Sequence, residues 1–233
     1  WTEERWTELR ATYYGMMSEV DAQIGHLLDR LHEIGAYDDT LVVFTSDRDG
    51  VARIWMKQLS GSAEVPLTAG PDDGARFSPD GTQILFTRDV QSSRQLYRQT
   101  VVGGQLRMIL EDASEGDWSP DGSRIVFIRS GAVLIANADG TDEQVVADRR
   151  QGEILRSPRW SPDGRWLYFL SNRSGMNNLW RLPVDPESGS AAGPPEMATL
   201  PISPVMCPAA GSVSVTAASS WRVSTSRPIR HVT

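Results

Sequence analysis

The first 35 residues show the hydrophobic periodicity of a helix. Thr2 followed by Glu3 and Glu4 fits an N-terminal cap with acidic residues in the first turn, and Gly35 fits a C-terminal stop. The pattern therefore predicts an amphipathic helix over residues 1–35. Its apolar positions recur at steps of three and four and share one helical face: Leu9, Tyr13, Met17, Val20, Ile24, Leu27, Leu28, Leu31 and Ile34.

A short apolar run follows the helix. The segment 37-YDDT-40 has turn chemistry, and Leu41–Phe44 is too short and too apolar to be anything but a buried strand. Helix, turn and buried strand together indicate α/β organisation for this N-terminal part of the chain.

From residue 46 to about 200 the pattern becomes a repeat. An aromatic-Ser-Pro-Asp-Gly pentapeptide occurs as 77-FSPDG-81, 118-WSPDG-122 and 160-WSPDG-164, at intervals of 41 and 42 residues. Two apolar runs follow each copy, and one further run precedes the first. These runs predict strands at 53-RIWMKQL-59, 83-QILFTR-88, 95-QLYRQ-99, 124-RIVFIR-129, 132-AVLIA-136, 166-WLYFLS-171 and 178-NLWRLPV-184. A period of about 42 residues with several short strands per unit is typical of β-propeller blades.

The pentapeptide itself has the chemistry of a tight turn. Proline fixes φ at the first central position, aspartate suits the second, and glycine accepts the positive φ that closes a hairpin. Asp80, Asp121 and Asp163 recur with the repeat. Because catalysis needs one special copy rather than three equivalent ones, we interpret them as turn residues.

Charge and composition narrow the function classes. The formal net charge of −7 argues against a nucleic-acid binder, and no run of 18 apolar residues predicts a membrane span. The single cysteine, Cys207, excludes an internal disulfide and a cysteine-cluster metal site. Residues 201–233 contain no Asp or Glu and continue neither the repeat nor any clear period. We predict an irregular or disordered tail, with a basic partner-binding tail as the alternative.

The repeat region, about residues 46–199, resembles the TolB-like β-propeller family. The resemblance is carried by the Ser-Pro-Asp-Gly turns and by the loops 46-SDRDG-50 and 171-SNRSG-175, each of which leads to a strand containing Trp55 or Trp180. It implies a scaffold that binds another protein and favours a bacterial periplasmic or cell-envelope location. Family rings commonly have about six blades, so three units and a partial one imply open edges through which the chain could self-associate.

The first 47 residues resemble the late part of a sulfatase or phosphonate monoester hydrolase. The carriers are 13-YYGMMSEVDAQIGHLLDRL-31 and 37-YDDTLVVFTSD-47. In that family the strand ends in Ser-Asp-His-Gly, whose Asp and His hold a catalytic divalent cation. Asp47 occupies the Asp position here, but Arg48 replaces the His and Asp49 the Gly. A guanidinium has no lone pair to donate to a metal.

The remaining candidate site residues do not match a metal-binding or nucleophile motif. His26 and His32 are six residues apart on the polar side of the helix, which is not the spacing of a helical metal pair, and His231 lies in the tail. The family nucleophile motif Cys/Ser-x-Pro-x-Arg is not matched by 206-MCPAA-210. We therefore expect no catalytic residue and no cofactor, with Asp47 as a remnant ligand position. A calcium or manganese ion is expected only if upstream sequence restores the hydrolase site.

The sequence predicts a mainly β chain, a partial β-propeller of about three to four blades with an N-terminal amphipathic helix and one short strand. We expect a helix–turn–strand fragment at residues 1–45, propeller blades at 46–200 and an irregular tail at 201–233. The preferred function is a non-catalytic, protein-binding scaffold. The alternative is a fragment of a metal-dependent sulfatase or phosphonate monoester hydrolase fused to propeller repeats, inactive as it stands. A recombined gene would explain a junction near residue 46.

Overall fold

The computed structural model describes residues 2–47, 50–198 and 224–225. Arg48, Asp49, Cys207, His231 and the predicted tail, apart from residues 224–225, therefore lie outside the described residues. The only helix in the described part, α1, runs from Glu3 to Glu33. The Oγ1 atom of Thr2 accepts a hydrogen bond from the Arg5 N–H at 3.5 Å, as the capping prediction requires. Gly35 follows the helix with a φ of 67°.

The described strands form four antiparallel four-stranded sheets, which we number as blades 1 to 4. Blade 1 contains β1 (Leu41–Ser46), β2 (Arg53–Gln58) and β3 (Glu64–Pro66). Blade 2 contains β4 (Asp72–Phe77), β5 (Gln83–Val90), β6 (Ser93–Thr100) and β7 (Arg107–Leu110). Blade 3 contains β8 (Ala113–Trp118), β9 (Arg124–Arg129), β10 (Ala132–Asn137) and β11 (Gln144–Ala147). Blade 4 contains β12 (Leu155–Trp160), β13 (Trp166–Ser171), β14 (Asn178–Pro183) and β15 (Glu196–Met197).

The mainly β, propeller-type fold predicted from the repeat is confirmed. Each Ser-Pro-Asp-Gly turn joins the first strand of a blade to the second, and the two apolar runs after it form the second and third strands. The first and fourth strands of the blades were not predicted. The four blades agree with the expected three to four.

The sheet of blade 1 crosses the boundary expected near residue 46. Strand β1, assigned from sequence to the helix–turn–strand fragment, pairs over its whole length with β2, from Leu41 opposite Gln58 to Ser46 opposite Arg53. Strand β16 (Ser224–Thr225) pairs with the other edge of β1 at Val42 and Val43. The apolar strand that resembles a sulfatase segment is thus the second strand of a blade.

The core consists of three apolar layers, each lying between two neighbouring blades. The layer between blades 1 and 2 includes Val43, Ile54 and Phe86. The next includes Leu85, Leu96 and Phe127, and the last includes Val126, Val133 and Phe169. Blades therefore pack face to face in chain order, and no described strand of blade 4 packs extensively on blade 1. No helix in the described part is long and apolar enough to cross a membrane.

Candidate functional site

Asp47 lies in an exposed turn directly after β1. Its backbone carbonyl accepts a hydrogen bond from the Gly50 N–H at 2.8 Å. Within residues 2–47, 50–198 and 224–225, no three His, Cys, Asp or Glu side chains converge as a metal site would require. A hard divalent cation needs several oxygen ligands. The described residues around Asp47 therefore do not fit the metal that the sulfatase resemblance implies.

The two described histidines lie on the exposed side of α1. His26 and His32 are both exposed, and the ring of His32 stacks on Tyr37 with 3.8 Å between centroids and 14° between planes. This contact packs the end of α1 against the turn that leads into β1. The structure therefore places them apart from any cluster of other candidate side chains in the described part of the chain.

The three repeat aspartates hold the turns that the sequence predicted. In the first turn the Ser78 hydroxyl donates to Asp80 Oδ1 at 2.5 Å, and the same carboxylate accepts the Thr82 N–H at 3.1 Å. The hydrogen bond from Ser78 lowers the pKa of Asp80. Equivalent bonds join Ser119 to Asp121 and Ser161 to Asp163. These carboxylates are thus engaged within their own turns.

Among the described residues, blades 2 and 4 each contain a buried ion pair beneath an aromatic ring. Arg88 donates to both oxygens of Asp72, at 2.6 and 2.9 Å, and its guanidinium lies 4.9 Å from the centroid of the Tyr97 ring. In blade 4 the pair is Arg173 and Glu153. Arg173 belongs to the loop 171-SNRSG-175, whose counterpart 46-SDRDG-50 contains Arg48. Arg173 in this loop is the sequence signal for the ion pair. Its partner Glu153 lies 20 residues earlier in the chain, so the sequence pattern did not show which carboxylate it contacts.

Charged residues of the first strands join one blade to the next. Arg76 Nε of blade 2 lies 3.9 Å from Asp117 Oδ1 of blade 3. Asp117 Oδ2 accepts the Trp160 N–H of blade 4 at 3.2 Å. Burial raises the pKa of Asp117, against the opposing effects of Arg159, the Trp160 N–H and Arg76. Arg76, Asp117 and Arg159 each stand one residue before the aromatic residue of a Ser-Pro-Asp-Gly turn. This fixed position was a sequence signal for the charged contacts between blades.

The forward side of a blade is the side that contacts the next blade along the chain. On the forward side of the third strands, blades 1, 2 and 3 have Ile54, Leu96 and Val133 at the same register, and each is 0% exposed. In the second strands, Thr87 and Ile128 are 1% and 9% exposed. The same registers in blade 4 hold Leu179, which is half-buried, and Leu170, which is 40% exposed. No described element therefore covers the forward side of blade 4.

We call this surface the blade 4 face and define it by Arg156, Tyr168, Leu170, Leu179 and Arg181. Direct strand pairing places Leu170 opposite both Leu179 and Arg156, and Tyr168 opposite Arg181. A cavity of about 250 Å³ is lined by Ile154, Arg156, Leu170 and Asn177. Arg181 already pairs with Glu196 at 2.7 Å. An aromatic and aliphatic centre beside Arg156 can bind an apolar surface that has a carboxylate at its edge.

The geometry defines a β-propeller-type repeat structure. Comparisons with known proteins show that its N-terminal segment is similar to sulfatases and that its blades are similar in fold to TolB. Residues 1–57 match the sulfatase family model. The chain is 30% identical to Arylsulfatase K of Xenopus laevis over 132 residues, which cover 51% of this chain and 24% of that protein. The N-terminal segment is thus sulfatase-like in sequence, and the match continues into strand β2 of blade 1.

The fold of the described blades is TolB-like. The structure aligns with TolB from Acinetobacter baumannii with a TM-score of 0.57 and 15% identity, covering 71% of this chain and 42% of that one. An uncharacterized protein of Agrobacterium fabrum, Atu1656, is 32% identical over 136 residues, covering 50% of this chain and 46% of that protein. The chain thus spans less than half the length of either curated relative.

Proposed function

We propose that this chain is a protein-binding module without catalytic activity of its own, and that the blade 4 face is its binding surface. The observation that carries the proposal is the partial exposure of Leu170 and Leu179 at registers that are buried in blades 2 and 3. Half-exposed apolar residues on the side of a sheet are typical of a surface that another protein covers.

The chemistry of the partner follows from the contacts between the existing blades. Blade 3 covers the forward side of blade 2 with Ile125 and Phe127 and offers Asp117 to Arg76. The blade 4 face offers Tyr168, Leu170 and Leu179 at the equivalent forward registers. We expect the partner to present a β-sheet with an aliphatic and aromatic face and a carboxylate near Arg156.

The test uses the full chain as bait in an extract of its native cells, with bound proteins quantified by mass spectrometry. Leu170→Asp and Leu179→Asp place a charge on the blade 4 face. Val145→Asp places the same charge on β11, where Val145 is 58% exposed. We expect one partner to bind the wild type and Val145→Asp equally, and binding to fall at least about tenfold in the other two. Identical binding by all variants, or no bound protein, would refute the proposed surface.

The sulfatase match over residues 1–57 supports a second candidate, an inactive hydrolase fragment fused to propeller blades. Asp47 is its only described residue at a ligand position, and Arg48 cannot ligate a metal. We therefore expect no turnover of 4-nitrophenyl sulfate or of a phosphonate monoester by the full chain with added Mn²⁺ or Ca²⁺. Metal-dependent turnover that EDTA abolishes would contradict the non-catalytic assignment.

A further inference from the structure

A cavity lies at the end of blade 4 where β12 and β14 begin and β13 ends. It has a volume of about 250 Å³ and is lined by Ile154, Arg156, Leu170 and Asn177. We call it the blade 4 cavity. Two of its lining residues are aliphatic, one is cationic, one carries a carboxamide and none is acidic. The lining therefore combines an apolar wall with hydrogen-bond donors.

The positive charge of the blade 4 cavity is not neutralised by the described residues. Arg173 and Arg181 of the same blade pair with Glu153 and Glu196. In the part of the chain that the structure describes, the side chain of Arg156 has no ion pair or hydrogen bond. The Asn177 carboxamide also has no hydrogen-bond partner there. Both groups therefore keep their N–H donors available for a ligand.

Blade 2 shows which contact occupies the equivalent place. Asp73 stands at the register of Arg156, and Arg94 at that of Asn177. Arg94 pairs with Asp73 at 2.7 Å and with Asp89 at 2.9 Å. This end of blade 2 thus contains a guanidinium with two carboxylates, whereas the same end of blade 4 has the guanidinium without a carboxylate.

The wall that Ile154 forms is held in place by its neighbours. Asn172 Oδ1 accepts a hydrogen bond from the Ile154 N–H at 2.8 Å, and Asn172 Nδ2 donates to the Gly152 carbonyl at 3.3 Å. The preceding residue, Glu153, is fixed by its buried ion pair with Arg173. A wall that is ordered before binding lowers the entropic cost of taking up a ligand.

We propose that the blade 4 cavity binds a small carboxylate with a short, branched aliphatic chain. The carboxylate accepts hydrogen bonds from the Arg156 guanidinium, whose planar fork matches its geometry, and from the Asn177 carboxamide. The aliphatic chain packs against Ile154 and Leu170. An apolar cavity of about 150 Å³ holds benzene, so the larger blade 4 cavity has room for an acid of six carbons. This site takes a small molecule and does not require the protein partner proposed above.

Two-dimensional NMR of the ¹⁵N-labelled full chain tests the proposal at pH 7, with 4-methylpentanoate as the probe. We expect the signals of Ile154 and Asn177 to shift with a dissociation constant of about 1 mM or less. The neutral 4-methylpentanamide should bind at least about tenfold more weakly, and Arg156→Gln should weaken binding of the acid by a similar factor. Arg165→Gln is the matched control, because Arg165 is exposed and lies just before β13, at the opposite end of that strand.

The outcomes separate this site from the proposed function. Equal binding of the acid and the amide would show that Arg156 does not select a carboxylate, and would overturn the proposal. Equal weakening by Arg156→Gln and Arg165→Gln would reduce the effect to net charge and also overturn it, as would the absence of shifts with excess acid. A chain that binds the acid but captures no protein would refute only the proposed partner, and the reverse result would refute only this site.

Discussion

Arg173 and Glu153 form a buried ion pair in blade 4, with 2.6 Å between Nε and Oε1 and side chains only 6% and 2% exposed. The Ser171 hydroxyl donates to the same carboxylate oxygen at 2.5 Å, and the guanidinium lies 4.8 Å from the ring centroid of Trp180. The pair thus fastens the loop after β13 to the residues before β12. Trp180 packs against the apolar layer between blades 3 and 4, so removal of the pair should loosen that side of blade 4.

We predict that Arg173→Met lowers the free energy of unfolding by about 3–5 kcal/mol, because it leaves the Glu153 carboxylate buried without its cation. Arg30→Met breaks an ion pair of similar length, but Arg30 and Glu33 are 68% and 63% exposed. An exposed pair contributes about 0–1 kcal/mol. Urea unfolding of both variants checks the prediction, and equal losses would contradict it.

The repeat turns should make the fold sensitive to acid. The hydrogen bond from Ser78 lowers the pKa of Asp80, and that from Ser161 lowers the pKa of Asp163. Their stabilising contribution is therefore complete above the unfolded pKa of about 4 and is lost as the pH falls through the lower folded pKa.

We predict that Asp80→Asn combined with Asp163→Asn lowers stability at pH 7 and reduces its further loss between pH 5 and pH 2. The measurement is the free energy of unfolding as a function of pH. Asp38→Asn is the control, because Asp38 is exposed and lies outside the repeat turns. An unchanged pH profile in the double variant would show that the turn carboxylates do not carry the acid sensitivity.

The sequence predicted the strands whose residues are mainly apolar and missed those that are charged or short. The second strands, such as 124-RIVFIR-129, are buried on both sides and follow an unambiguous turn. The first strands, such as β8 with the letters ASEGDW, contain charges that join neighbouring blades and an irregular register that interrupts alternation. The fourth strands have only two to four residues, too few for a pattern.

The candidate site was less accessible to sequence reasoning than the fold. Asp47 could be interpreted as a turn residue because the letters beside it are wrong for a metal. The blade 4 face could not be located, because Leu170 and Leu179 have the same apolar character as their buried counterparts Ile128 and Val133. Only the packing order of the blades shows which copy is open. A buried strand also has the same pattern in any sheet, so β1 could not be assigned to blade 1.

The first strands of blades 2, 3 and 4 share a backbone position with positive φ, which is strained wherever the residue is not glycine. Gly74, Glu115 and Ser157 occupy equivalent places in β4, β8 and β12, with φ values of 67°, 58° and 52°. Glycine adopts this conformation without strain, whereas a residue with a side chain does not. The Glu115 carboxylate accepts a hydrogen bond from the Ser157 N–H, so the side chain of Glu115 has a role that offsets its strain.

We predict that Ser157→Gly raises the free energy of unfolding by about 0.5–1 kcal/mol, because it removes the strain and keeps the N–H that Glu115 accepts. Ser157→Ala is the matched control, since it also removes the hydroxyl but keeps the Cβ atom that causes the strain. The urea midpoints of the two variants test this prediction, and we expect the higher midpoint for Ser157→Gly. A loss of stability in Ser157→Gly would mean that the serine side chain has a stabilising contact.

One register of the third strands differs in burial between blades 2 and 4. Leu96 and Leu179 are equivalent forward residues of blades 2 and 4, but blade 3 covers Leu96 completely whereas Leu179 is half-buried. Leu96→Ala should therefore cost about 2–5 kcal/mol, since it leaves a cavity in a packed layer. Leu179→Ala should cost less than half as much, because solvent fills the space. Urea unfolding at low protein concentration measures both. Equal costs would mean that the blade 4 face is already covered in the isolated chain, and the proposed binding surface would then have to be abandoned.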